Sequence, residues 1–223
     1  ISSLTALLSP YAALAQTCET PVAKVVSVQG TVESQRVGAT QWKLVQLNDT
    51  YCPGDTLRVQ ERSRADVAML NQSVLRLNAN TAITLEAVKE ERTGVVALLK
   101  GAVHFFSRGP HSLEVQTPSV IAGVRGTEFF VTVETNRTLL TVFEGTVVAE
   151  NSAGSLTLTS GQSAVAEVGR APVLRVVARP RDAVQWALYY PPVLYIRPDE
   201  FSAGPGWQGM VRQSIEFYTR GDL

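Results

Sequence analysis

The sequence has little of the chemistry that usually marks a reactive site. Its 223 residues include two histidines, two cysteines and two methionines. Neither His104 nor His111 has a serine or cysteine at a recognised motif spacing, and G-x-S-x-G is absent. No GxGxxG or GxxxxGK[ST] occurs, so no nucleotide loop is expected. Two cysteines and two distant histidines do not make a zinc site. Catalytic residues, cofactor and metal are therefore all expected to be none. The carboxylate pair of a glycosidase is defined by spatial separation, so a cell-wall or glycan hydrolase stands last among the readings.

Charge of one sign is missing too. The 20 Lys+Arg balance the 20 Asp+Glu, which leaves no net field to gather nucleic acid or an anionic membrane surface. Long apolar runs are also missing, and nothing in the given chain reaches the roughly 20 residues that span a bilayer. The nearest is "LTALLSPYAALAQ", which ends in Ala13-Leu14-Ala15 before Gln16. It reads as the apolar region and cleavage box of a secretory signal, residues 1–15, whose start lies upstream of Ile1. The rival reading is the tail of a membrane anchor.

An exported chain meets an oxidising compartment, where Cys18 and Cys52 can pair. Such a bridge would tie the start of the mature chain to the loop before Pro53. It would enclose about 33 residues, for which loop entropy gives roughly 3–4 kcal/mol. The alternative is two unrelated buried thiols.

What the sequence does have is alternation. Leu75 and Leu77 share one face of a strand, as do Ile83 and Leu85. Phe129, Val131 and Val133 line one side of another, with Phe130 and Thr132 opposite. Period two with β-branched residues predicts half-buried strands. Turn signals recur every eight to twelve residues from Gln29-Gly30 to Ser160-Gly161, the rhythm of an all-β sandwich, barrel or solenoid. An echo runs through it. "VVSVQGTVES", "VALLKGAVHFF" and "LTVFEGTVVAE" place Gly30, Gly101 and Gly145 two residues before Val32, Val103 and Val147. A glycine interrupting a strand marks a bulge, a corner or a close backbone approach. "CPGDTLRV" and "TSGQSAVAEV" form a second echo.

After Arg179 the composition changes. Pro180, Pro191, Pro192, Pro198 and Pro205 break any long element. Residues 179–206 read as an ordered Pro/aromatic arm, with Trp186, Tyr189 and Tyr190 needing a surface to lie on. That surface is either a protein partner or the β domain itself. Residues 207–223 then show helical spacing, with Met210, Val211, Ile215 and Tyr218 on one side.

Together "VVSVQGTVE", "GDTLRV", "LRLNANTAITL", "LLKGAVHFF", "VQTPSVIAGVRGTEFFV", "VFEGTVVAE" and "LTSGQSAVA" resemble the blocks of the FecR domain over about residues 22–170. The stretch T-P-x-x-x-x-G-V-R-G-T-E-F, Thr117 to Phe129, is the most specific of them. The tail resembles the segment that joins such domains to tetratricopeptide repeats, and "RQSIEFYTRGDL" resembles the first helix of one. The resemblance implies an all-β, FecR-like sandwich or solenoid of short twisted strands over residues 16–178, followed by the arm and a repeat start. It implies an exported, periplasm-facing, non-enzymatic module for sensing or interaction, with a protein or envelope polysaccharide as ligand. In the family's best-known members the domain serves a membrane-anchored sigma-factor regulator. This chain shows no cytoplasmic helical domain, which sets direct sigma-factor control apart as the alternative reading.

Within the signature, Gly123 and Gly126 flank Arg125. One reading is a corner between two strands, pinned by a buried Arg125 whose carboxylate partner is Glu128. The other has Arg125 facing a groove and holding an anionic ligand or a partner's carboxylate.

Overall fold

The computed structural model describes residues 20–88, 93–107 and 112–175, apart from the side chains of Ser112 and Arg125. The expectations for residues 1–15, Cys18, His111, the arm with Trp186, Tyr189 and Tyr190, and the helix at 207–223 lie outside the described residues.

Every regular element described is a strand. In chain order they are β1 (Ala23–Gln29), β2 (Val32–Gln35), β3 (Lys43–Leu44), β4 (Thr50–Tyr51), β5 (Thr56–Val59), β6 (Arg64–Met69), β7 (Ser73–Leu77), β8 (Ala82–Leu85) and β9 (Gly94–Ser107). They continue as β10 (Ser112–Gln116), β11 (Ile121–Arg125), β12 (Glu128–Val133), β13 (Arg137–Glu144), β14 (Thr146–Asn151), β15 (Gly154–Thr159), β16 (Ser163–Glu167) and β17 (Val173–Arg175).

The strands form two layers. Sheet I runs β4, β1, β6, β7, the second half of β9, β12, β13, β16, β17. Sheet II runs β3, β2, β5, β8, the first half of β9, β10, β11, β14, β15. Pairing is antiparallel except between β9 and β10. The single long strand β9 thus belongs to both layers.

Alternation sets which residues meet between the layers. Val67, Leu75, Leu77, Val103, Phe105, Phe129, Val131 and Leu140 point inward from sheet I, and Leu57, Ile83, Leu98, Val115, Val147 and Leu158 from sheet II. Phe105 and Phe129 are cross-strand neighbours stacked at 4.7 Å in the middle of this core. A one-residue slip would turn every one of these side chains to the outside, so burial fixes the register.

The chain weaves between the layers instead of completing one before starting the other. It passes from β1 to β2 at Gly30, within β9 at Gly101, from β11 to β12 at Gly126, and from β13 to β14 at Gly145. These glycines have φ of +69°, +89°, +61° and +89°. The echoing valines that follow, Val32, Val103 and Val147, are all in the core. Gly123 corrects the sequence reading in one respect. It lies within β11, opposite Glu114 and Val148, and its φ is not among the positive ones. The corner is made by Gly126 and Thr127 alone.

Candidate functional site

At three places a crossing glycine lies against a hydroxyl residue of a neighbouring crossing. Gly30 faces Ser63, Gly101 faces Thr81, and Gly145 faces Thr127. A Cβ on Gly101 would fall 2.5 Å from the Thr81 Cα, and one on Gly145 would fall 2.5 Å from the Thr127 Cγ2. No L side chain fits there, and φ near +90° is itself costly for any residue but glycine. Two of the hydroxyls serve the backbone that the crossings leave unpaired. Ser63 Oγ accepts from Thr31 N at 2.8 Å, and Thr81 Oγ1 accepts from Ala102 N at 3.0 Å. Thr127 Oγ1 is buried with no hydrogen-bond partner among the described residues.

A second organising group sits near the start of the domain. The buried Asp55 accepts hydrogen bonds from Arg36 Nη1 at 2.7 Å, Val37 N at 2.9 Å and Cys52 N at 2.8 Å. It joins the segment after β2 to the turn before β5. The Arg36 guanidinium also lies 4.5 Å from the ring centroid of Tyr51, and burial pushes the Tyr51 hydroxyl above its ordinary pKa. Cys52 is not a free thiol. Its expected partner Cys18 lies outside the described residues.

The outer face of sheet I holds the polar cluster closest to a reactive centre. Cross-strand register places Asp66, Arg76, His104, Phe130, Thr141 and Ser163 on one row. His104 Nε2 lies 3.1 Å from Glu128 Oε1, so the ring donates to the carboxylate and Nδ1 is left as an acceptor. That nitrogen is buried without a hydrogen-bond partner among the described residues. Phe106 stands 4.1 Å and Phe143 5.6 Å from the imidazole, and Arg76 lies over the Phe106 ring. Burial, reinforced by the Arg76 charge, lowers the His104 pKa to about 4. Near neutral pH the ring is therefore uncharged. Burial also raises Asp66, with Arg76 and then Arg64 opposing.

Glu128 was expected to hold Arg125, and its described partner is His104. Arg125 ends β11 with its backbone opposite Ser112, and its side chain lies outside the described residues. The two positions are therefore joined by the Gly126–Thr127 crossing and not by any described contact. The sequence reading missed the His104 row because its members are consecutive only across strands. The alternation in "GAVHFFS" places His104 opposite the core-facing Val103 and Phe105, but it does not reveal what else stands on that face. Asp55 was visible only as the Asp of Pro53-Gly54-Asp55.

The sequence profile described as FecR protein matches residues 55–148. Residues 55–148 thus carry a FecR domain. That stretch contains the Gly101–Thr81 and Gly145–Thr127 pairs and the His104–Glu128 contact. The strands on either side of it continue the same two sheets.

A similar fold is found in two crystal structures, at 1.65 and 2.50 Å resolution, of a proposed anti-sigma factor from Parabacteroides distasonis ATCC 8503. Each has a TM-score of 0.51 at 17% identity and covers 59% of this chain. The match spans 64% and 63% of those solved chains, under two thirds of their length. At this identity the likeness is one of fold. No curated protein matches the chain. Among the described residues no group of three or more His, Cys, Asp or Glu is placed to hold a metal ion. No helix long and apolar enough to cross a membrane occurs among the described residues.

Proposed function

We propose that the protein is a non-enzymatic signal-transduction module of the cell envelope, acting by binding protein through its FecR domain. One observation carries the reading: the FecR profile match over residues 55–148. The fold shared with a proposed anti-sigma factor supports the same direction. On this reading the β body is exported and periplasm-facing. A Cys18–Cys52 disulfide closes its N-terminal segment, in keeping with Cys52 not being a free thiol. Residues 207–223 begin a helical repeat that recruits further protein. The signal passes by contact, through surfaces held rigid by the paired crossings, to a regulator of transcription.

The test is a deletion strain profiled for transcripts against its parent. A shift confined to one small, coherent regulon under a single sigma factor, restored by the full-length gene, supports the proposal. An unchanged transcriptome together with cleavage of peptidoglycan or exopolysaccharide by the purified protein would overturn it.

A further inference from the structure

The outer face of sheet I is buried in a pattern that its own strands do not account for. Starting beside β17, Ser163 is 3% exposed, Thr141 7%, Phe130 8% and His104 0%. These four side chains point away from the core, since their neighbours Ala164, Leu140, Val131 and Phe105 fill it. They share one cross-strand row. Phe130 and Ala102 form a buried cluster of their own with Phe143 against it, separate from the inter-sheet core. All the described strands belong to the two sheets, and none lies over this face. The burial is one-sided. Past His104 the row continues through Arg76 and Asp66, which are only partly buried.

The buried half of the row begins where the chain leaves the described structure. Arg175, the last residue of β17, is the cross-strand neighbour of Ser163. A segment that continued from Arg175 across the sheet would cover Ser163, Thr141, Phe130 and His104 in turn. Four strand spacings separate β17 from β9, roughly 19 Å. The eleven residues from 176 to Trp186 span up to about 36 Å when extended, so the reach is ample. The face is also chemically suited to an aromatic occupant. Phe106, Phe130 and Phe143 offer ring edges and faces, and the unpartnered Nδ1 of His104 is a buried acceptor for a hydroxyl or indole N–H.

We propose that residues 180–206 of this same chain lie across the outer face of sheet I, with Trp186, Tyr189 and Tyr190 packed over His104, Phe130 and Phe143. The arm is then a built-in cover of the β domain. It fixes the point from which whatever follows residue 206 departs.

The test places a photoreactive benzoylphenylalanine at position 186, 189 or 190 of the full-length protein. Expected are cross-links at monomer mass that map to residues 102–106, 128–132 or 139–143. Cross-links that join two copies, reach another protein or land on sheet II would overturn the proposal, as would none at all. A second measurement follows diethylpyrocarbonate modification of His104. In the triple variant Trp186→Ala, Tyr189→Ala, Tyr190→Ala, with the wild-type β-sheet circular dichroism retained, His104 should react at least about tenfold faster because its cover now opens freely. An unchanged rate in that folded variant would overturn the proposal. The cross-linking result stands without the variant.

Discussion

A Cβ built on Gly101 would lie 2.5 Å from the Cα of Thr81, the same residue whose hydroxyl accepts the Ala102 N–H. Glycine and hydroxyl are two halves of one joint. The glycine lets β9 turn from one sheet to the other, and the threonine fills the room left by the absent side chain while capping the freed backbone.

Gly101→Ala should therefore cost about 3 kcal/mol or more, since a positive-φ penalty of 1–3 kcal/mol adds to a backbone clash. Gly123→Ala is the internal control. Its Cβ would meet nothing within 4 Å, and its backbone is not in the left-handed region. It should be neutral or stabilising by up to about 1 kcal/mol. Urea unfolding of both variants checks the pair, and equal destabilisation would discredit the joint.

Much of this was legible in the sequence. The echo of Gly30, Gly101 and Gly145 pointed to a bulge, a corner or a close backbone approach at each, and the alternation in β7, β8 and β12 gave the faces correctly. The other half of each joint was not legible. Ser63, Thr81 and Thr127 are ordinary residues until register brings them against a glycine 18 to 33 positions away in the chain. Gly123 and Gly126 looked equivalent because spacing says nothing about φ. The His104 row was hidden for the same reason, being assembled from six strands.

Asp55→Ala should destabilise by about 3 kcal/mol. It removes a buried carboxylate that accepts from Arg36 and from two backbone N–H groups, leaving those donors without a partner. Thermal or urea unfolding measures this, and a loss under about 1 kcal/mol would mean water replaces the carboxylate freely.

Acid should expose His104. Its folded pKa of about 4 lies below the ordinary histidine value of 6.5, so the unfolded chain binds the proton more readily. Stability present above pH 6.5 is lost as pH falls toward 4, by about 2 kcal/mol at pH 5. Asp66, raised by burial, works in the opposite sense, so the comparison must be between wild type and His104→Gln at each pH. The variant should lose less stability between pH 7 and pH 5, and parallel curves would refute the assignment.

Thiol labelling of the denatured, unreduced protein should modify neither cysteine. Cys52→Ser should lower stability by roughly 3–4 kcal/mol if the bridge encloses the loop to Cys18. Labelling of both thiols would remove the bridge.

The central claim is that this FecR domain works as a shaped surface and not through a reactive group. The most direct measurement is transcript profiling of the deletion strain carrying His104→Gln, which removes the imidazole of the one buried histidine–carboxylate pair among the described residues. The account expects the wild-type regulon to be restored. A stably folded His104→Gln protein that leaves the regulon as it is in the deletion strain would contradict it.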